Sequence, residues 1–254
     1  MIQADPLAHP DERTRTAQVG TSANRLLAAM PGADLQRWAP HLKLVDLALG
    51  QVISEPGSEL GFAYFPVDSI VSLLYVMNNG ESAEIALVGN DGMLGVTLFM
   101  GGDSTTIRAV VQSAGKAYRL PARELVDTFA RGGATPRLLL LYTQSLLTQM
   151  TQTAACNRHH TLNQQFSRWL LLSFDRLSGD QMVMTQKLIA KMLGVTSDEV
   201  TASANALSAA GAIDYRDGRI GLLDRALLEK SSCECYRVVK RECDRLLPTA
   251  ARMN

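Results

Sequence analysis

No apolar run in the 254-residue sequence approaches the roughly 20 residues that a membrane-spanning helix requires. The first residues, MIQADPLAHPDERTRTAQVG, also lack the apolar core of a secretory signal. They mix charged residues, proline and small polar residues, a composition typical of a disordered tail, which we predict at 1–23. These absences predict a cytoplasmic protein with no membrane partner.

Sequence motifs of known catalytic sites are also missing. The sequence contains neither a Walker loop nor a glycine-rich dinucleotide motif. None of its four histidines stands in a Ser-His-Asp or metalloprotease pattern. We therefore predict that the protein is not an enzyme and that it carries no cofactor.

An excess of either charge is absent too, since 25 basic residues balance 25 acidic ones. A neutral chain does not attract nucleic acid over its whole surface. Any contact with DNA must therefore depend on a local basic patch.

Cysteine is scarce, and a cytoplasmic setting argues against disulfides. The four cysteines are Cys156, Cys233, Cys235 and Cys243. Cys156 has the spacing of one helix face with His159 and His160, and the later three cysteines offer thiolates. Neither group resembles a paired Cys-x-x-Cys site, so we predict no metal site. Buried structural cysteines and redox-sensing thiols remain open alternatives.

Three regions of different pattern follow one another along the chain. Residues 24–132 contain many short apolar segments separated by evenly spaced turns, as in a small antiparallel barrel or roll. Residues 133–160 form one long helical run. Residues 161–232 alternate helices with a hairpin, and 233–254 end in a helix and a tail. The pattern predicts an α+β fold.

One set of residues recurs along the long helix at alternating three- and four-residue steps, as in a coiled-coil seam. These residues are Leu139, Tyr142, Leu146, Gln149, Thr153 and Cys156. We predict that they form the seam of a homodimer. An ordinary buried core helix is the alternative.

The segment TQKLIAKMLGVTSDEVTASANALSAAGAIDYRDGRIGLLD predicts two short helices joined at Gly194. Thr196 and Glu199 have the spacing of a capping box, which marks the start of the second helix. Two helices joined by a short glycine turn are typical of a helix-turn-helix unit. The hairpin that follows, with its turn at Asp217 and Gly218, corresponds to a wing.

The chain resembles the Crp/Fnr family of bacterial transcription regulators over nearly all of 24–247. The resemblance is carried by YFPVDSIVSLL, VGNDGMLGV, RAVVQSAGKAYRLP, QTAACN, RWLLLSFDR, KMLGV, DGRIGLLDR and CECYRVVKRE. It implies a cyclic-nucleotide-binding-like sensor roll, a long dimerisation helix, and a winged helix-turn-helix domain. It also implies binding of a palindromic operator in double-stranded DNA by a homodimer. RNA polymerase is a further candidate partner.

The reading helix departs from the family pattern because it lacks the usual arginines, the residues that most often bind guanine edges. By the resemblance, the base-facing residues would be Thr196, Ser197, Asp198 and Thr201. The phosphate-facing residues would be Lys187, Lys191, Arg216 and Arg219. Two hypotheses follow. The helix reads DNA with an altered preference, or the domain no longer binds DNA alone and the dimer serves as a protein-interaction or ligand-sensing module.

The sensor region departs as well. Met93 stands where cyclic-nucleotide sensors of the family carry a glutamate, and Thr105 and Thr106 stand where they carry the arginine-serine pair. Arg108 is near but displaced, and a shift along a strand can redirect its side chain. The resemblance therefore implies a degenerate effector pocket that does not bind cyclic AMP. A different ligand and an empty roll both remain open. Iron-sulfur sensing is not expected, because the N-terminal segment has no cysteine.

Overall fold

The computed structural model describes residues 21–102, 104–177 and 179–247. Most of the predicted tail, residues 1–20, lies outside the described residues. Within these ranges, no helix combines the length and the apolar character needed to cross a membrane.

The N-terminal half of the described chain is rich in β-strands, and the C-terminal half is mainly helical. The helices are α1 (Arg25–Ala28), α2 (Gly32–Trp38), α3 (Val96–Phe99), α4 (Ala122–Ala130), α5 (Ala134–His159), α6 (Leu162–Phe174), α7 (Gln186–Leu193), α8 (Ser197–Ala209), α9 (Arg225–Ser231) and α10 (Glu234–Leu246). The strands are β1 (Lys43–Leu47), β2 (Val52–Ser54), β3 (Phe62–Pro66), β4 (Ile70–Val76), β5 (Ser82–Val88), β6 (Ile107–Ser113), β7 (Gly115–Pro121), β8 (Gln181–Val183), β9 (Ile213–Arg216) and β10 (Arg219–Leu222).

The N-terminal roll consists of two antiparallel sheets with strand orders β1-β7-β3 and β2-β6-β4-β5. Its interior is filled by residues of both sheets, including Val71, Val111 and Ala117, and by Leu146 of α5. The predicted α+β fold with an antiparallel roll, a long helix and a winged domain is confirmed.

Strand β4 belongs to two cores at once. Val71 packs in the interior of the roll, whereas its neighbour Ile70 packs with Phe166 and Trp169 of the C-terminal domain. Successive residues of a strand point to opposite faces. Because both faces of β4 are covered, its sequence IVSLLYV is an almost continuous apolar run rather than an alternating one.

The C-terminal domain packs α6, α7 and α8 around one apolar core and adds the small antiparallel sheet β8-β10-β9. The wing hairpin turns at Asp217 and Gly218, both with positive φ, as predicted. Strand β8 is an addition to the prediction. Three residues are too few to show a strand period, and its pairing with β10 is long-range.

The predicted dimer seam is corrected by the structure. Its members, which we call the inner stripe of α5, are Leu139, Tyr142, Leu146, Gln149, Thr153 and Cys156, and none is more than 6% exposed. The Tyr142 hydroxyl donates to the Met93 carbonyl at 2.9 Å. The Gln149 amide donates to the Leu87 carbonyl at 2.9 Å. Because the inner stripe packs against the protein's own roll and C-terminal domain, it is not available to a second copy.

Candidate DNA interface and effector cavity

The turn between α7 and α8 is built as the sequence predicts. Gly194 ends α7 in the left-handed region with φ 69°. The Thr196 hydroxyl then accepts from the Glu199 backbone N–H at 3.3 Å. The Glu199 carboxylate accepts from the Thr196 backbone N–H at 2.9 Å and from its hydroxyl at 2.8 Å. The predicted capping box is confirmed, and both side chains are engaged within the cap.

This cap has an electrostatic consequence. The hydrogen bonds from the backbone and the side chain of Thr196 lower the pKa of Glu199. The carboxylate therefore stays ionised at the positive end of the α8 dipole, where it is favourable. Of the acidic pair at the start of α8, Glu199 thus has a structural role, and Asp198 is the acid whose carboxylate is not used by the cap.

The exposed face of α8 includes one residue that the sequence analysis missed. Asp198, Ala202 and Asn205 are exposed and Thr201 is partly exposed, at the spacing of a single helix face. The Thr201 hydroxyl donates to the Ser197 carbonyl at 2.8 Å. Asn205 thus offers the amide on this face, and an asparagine can pair with an adenine edge through two hydrogen bonds. The sequence could have indicated Asn205, because it stands at helical spacing from Asp198 and Thr201 and therefore on the same face of α8.

Basic side chains flank this face on two elements. Lys187 and Lys191 are exposed on α7, four residues apart. Arg216 and Arg219 are exposed and directly opposed in the wing, on β9 and β10. Like charges that face each other across a ladder repel, so an anion between them would be favourable.

The two wing arginines differ in their surroundings. Arg216 pairs with Asp214 at 2.8 Å. Arg219 makes no ion pair within the part of the chain that the structure describes. Arg219 is therefore the wing charge that is available to a phosphate without breaking an existing contact.

A small cavity of about 70 Å³, partly open to solvent, lies inside the roll. Met93 and Thr105 line it, together with Leu73, Leu146 and other apolar residues. Of the four residues predicted for an effector pocket, Thr106 and Arg108 do not line the cavity. Thr106 is exposed, and Arg108 pairs with Glu55 at 2.7 Å. Successive residues at the start of β6 point to opposite sides of the sheet. Thr105 and Ile107 therefore face the cavity, whereas Thr106 and Arg108 face away from it, and the prediction is corrected for these two residues.

The lining of this cavity restricts what it can hold. No charged side chain occurs among the described residues that form its wall. A cyclic phosphate buried there would lose its hydration without gaining a cationic partner, which is costly. The cavity therefore suits a small, mainly apolar molecule.

The roll and the C-terminal domain meet through a buried polar cluster. The Ser72 hydroxyl bonds to the Glu84 carboxyl at 2.6 Å and to Gln112 Oε1 at 2.5 Å. The Gln112 amide donates to the Ser173 hydroxyl of α6 at 3.3 Å. Burial raises the pKa of Glu84 to about 7, although the Ser72 hydrogen bond and the nearby Arg168 act in the opposite direction. This contact joins one sheet of the roll to α6 of the C-terminal domain.

The cysteine and histidine groups of the sequence analysis are partly brought together. Cys156 and His160, at the end of α5, meet Cys233 and Cys235, at the start of α10. His159 and Cys243 do not take part. The cysteine and histidines at the end of α5 thus supply two members of this cluster, and the C-terminal cysteines supply the other two.

Comparison with known proteins agrees with this geometry. Residues 164–231 match the family model of the Crp-like helix-turn-helix domain. No curated protein gives a significant match. Among similar solved structures, a Crp/Fnr-family regulator from Eubacterium rectale has a TM-score of 0.63 and 12% identity, covering 82% of this chain and 98% of its own.

Two further structures have the same architecture. FixK2 from Bradyrhizobium japonicum has a TM-score of 0.61 and 16% identity, covering 76% of this chain and 98% of its own. The c-di-GMP-responsive global regulator CLP of Xanthomonas campestris has a TM-score of 0.57 and 16% identity, covering 76% of this chain and 100% of its own. Residues 164–231 are therefore a Crp-like helix-turn-helix domain. The fold of the chain is the one these solved regulators have, in agreement with the resemblance seen in the sequence.

Proposed function

We propose that the protein regulates transcription as a homodimer that binds a palindromic operator in double-stranded DNA. The observation that carries this proposal is the intact reading unit. A capped α8 presents an exposed face, and an unpaired Arg219 stands on the wing beside it. The base-facing set is Ser197, Asp198, Thr201 and Asn205, and we withdraw the Thr196 hydroxyl because it is used in the cap. Lys187, Lys191, Arg216 and Arg219 would contact phosphates.

A second stripe of α5 supplies the proposed dimer contact. This outer stripe consists of exposed residues at heptad spacing, and its members are Leu140, Gln144, Leu147, Thr151 and Ala154. Leu140 and Leu147 are 52% and 55% exposed. Apolar residues at this spacing are typical of a two-helix seam. Pairing of two such helices would place the two α8 helices for successive major grooves, about 34 Å apart.

The signal that controls this regulator would be an uncharged, mainly apolar molecule in the roll cavity. The absence of charge from the described cavity wall supports a signal other than a cyclic nucleotide. We assign no reaction to the protein. RNA polymerase stays a candidate partner of the DNA-bound dimer.

The alternative function is a dimeric protein-interaction or ligand-sensing module that does not bind DNA alone. The exposed Asp198 carboxylate at the start of α8 favours it, because this charge would repel phosphates. The two hypotheses differ in whether the winged domain binds DNA with a salt-dependent affinity.

Substitution of Arg219 by alanine tests the proposal. We expect weaker binding to every DNA sequence, and a salt slope (log affinity against log salt concentration) that falls by about one for each wing on the DNA. Arg216→Ala is the matched variant and should lower the slope less, because Asp214 already pairs with Arg216. Fluorescence anisotropy at several salt concentrations measures both. An unchanged slope for Arg219→Ala would remove the wing from the interface.

Substitution of Asn205 by alanine tests the reading face. We expect affinity for the preferred operator to fall by about 1–3 kcal/mol, the usual worth of a bidentate base contact. Binding to scrambled DNA should change little. Asn157→Ala is the control, since Asn157 is an exposed asparagine on α5. Equal losses on operator and scrambled DNA would show that Asn205 does not read bases.

A further inference from the structure

A cluster of sulfur and nitrogen donors lies where the long helix meets the last helix. Cys156 is in the last turns of α5 and His160 is its C-terminal cap. Cys233 is the N-terminal cap of α10 and Cys235 is in its first turn. The ligand atoms of these four residues all lie within 4.8 Å of one another. Residues 77 positions apart in sequence therefore converge on one point.

The distances within the cluster match the edges of a tetrahedral metal site. The Cys156 and Cys233 sulfurs are 3.5 Å apart, and the Cys235 sulfur is 3.6 Å from His160 Nδ1. A zinc ion with Zn–S bonds of about 2.3 Å and a Zn–N bond of about 2.0 Å would separate two sulfurs by about 3.8 Å and sulfur from nitrogen by about 3.5 Å. Four donors this close have room for one ion at their centre, and not for a multi-iron cluster.

The surroundings of the thiols distinguish the cluster from ordinary core packing. Cys156, Cys233 and Cys235 are at most 5% exposed, and these three buried residues form a group of their own, separate from the apolar cores. Cys243 is also buried but packs in the apolar core of the roll. A cysteine used only as an apolar filler is expected to resemble Cys243.

The histidine has a partner of the kind that supports a metal ligand. With Nδ1 directed to the cluster, His160 Nε2 lies 3.4 Å from the Glu234 carboxylate. Metal-binding histidines usually donate their second ring N–H to a carboxylate, which fixes the tautomer and makes the ligand more basic. His160 is mostly buried, and Glu234 stands beside it at the start of α10.

Cys233 also has a helix terminus beside it. It caps the N-terminus of α10, where the helix dipole favours a thiolate, the form of cysteine that binds a metal ion.

We infer that Cys156, His160, Cys233 and Cys235 form a site for a single structural zinc ion. Three sulfurs and one imidazole nitrogen in a closed tetrahedron are a ligand set of structural zinc. Because cysteine binds zinc as a thiolate, binding releases thiol protons to solvent and the affinity rises with pH. With all four positions filled by protein atoms, the site has no open position for catalysis.

The site occupies a mechanically important place. His160 and Thr161 connect α5 to α6, the first helix of the DNA-binding domain. A metal ion bound there ties this connection to α10, which runs antiparallel along α5 and packs on both domains. The ion would therefore fix the angle at which the DNA-binding domain leaves the long helix.

Metal content and cobalt spectra test the inference on the full-length protein. Protein purified with a reductant and without chelator should contain one zinc ion per chain by elemental analysis. The metal-free protein, titrated with Co²⁺, should develop the intense ligand-field bands of tetrahedral cobalt and sulfur-to-cobalt charge-transfer bands, with an endpoint at one equivalent. Circular dichroism records that the metal-free chain remains folded.

Matched variants locate the site. Cys235→Ser and His160→Ala should lose stoichiometric zinc, while Cys243→Ser and His159→Ala should retain it. Glu234→Ala changes a largely exposed side chain and should fold normally, yet lower zinc affinity about tenfold or more, as is usual for such supporting contacts.

Three results would overturn the inference. One is folded, reduced wild-type protein with neither bound metal nor cobalt bands. Another is equal metal loss in the Cys243→Ser and Cys235→Ser variants. Stoichiometric iron in place of zinc in protein prepared without oxygen would also overturn it. None of these outcomes depends on whether the protein binds DNA.

Discussion

Leu147→Glu is expected to convert the protein into a monomer and to abolish operator binding. Leu147 is 55% exposed in the single chain, although it lies at the centre of the outer stripe. Two copies of the side chain would be buried in a twofold dimer. Losing about 1.5 kcal/mol for each leucine weakens dimerisation by about 100-fold, and burial of two opposed carboxylates adds to this loss.

Analytical ultracentrifugation over a range of protein concentrations measures the dimerisation constant. Val126→Glu is the control, because Val126 is also an exposed apolar residue on a helix, at 40% exposure, and lies away from the outer stripe. A Leu147→Glu protein that remains a dimer at the wild-type dissociation constant would exclude the outer stripe as the seam.

Glu84→Gln is expected to remove a pH dependence of stability. Burial raises the pKa of Glu84 to about 7, above the ordinary glutamate value of 4.5. A raised acid pKa means that the folded state holds its proton more tightly than the unfolded state. The stabilisation is present below pH 4.5 and is lost as the pH rises towards 7. The wild type should therefore lose about 2.5 kcal/mol of unfolding free energy between pH 5 and pH 8 relative to Glu84→Gln.

Urea unfolding at both pH values measures this difference. Glu81→Gln is the control, since Glu81 is an exposed acid in the same β4–β5 hairpin. Parallel pH profiles for wild type and Glu84→Gln would show that Glu84 is ionised in the folded protein. Glu84 would then be a buried carboxylate that the nearby charges of Arg168 and Arg176 stabilise.

The reading unit was predictable because its signals are local. Gly194, the Thr196–Glu199 capping box and the Asp217–Gly218 turn each depend on neighbours within a few residues. Such signals are complete in the sequence, and the structure reproduces each of them.

The dimer seam was not predictable from period alone. Helix α5 carries two stripes with the same heptad step, and the sequence does not state which of them faces the roll. The choice depends on long-range partners. Gln149 bonds to a carbonyl of β5, and this contact makes a polar residue of the inner stripe a buried one.

The effector pocket and the metal cluster show two other limits. Successive strand residues face opposite sides of the sheet, so an alignment error of one position predicts Thr106 in the cavity wall in place of Thr105. The metal ligands Cys156 and Cys233 are brought together only by the antiparallel packing of α10 on α5. Each helix supplies only two of the four ligands, so the residue spacing within one helix could not show the site.

The most direct test of the central claim is selection of binding sites from a pool of random double-stranded DNA with the full-length protein at low salt. A working dimeric reader should enrich a twofold-symmetric sequence whose half-sites lie about 10 base pairs apart, centre to centre. A folded dimer that enriches no sequence and binds no DNA at low salt would contradict the proposed function. The module that acts through other partners would then be the better description.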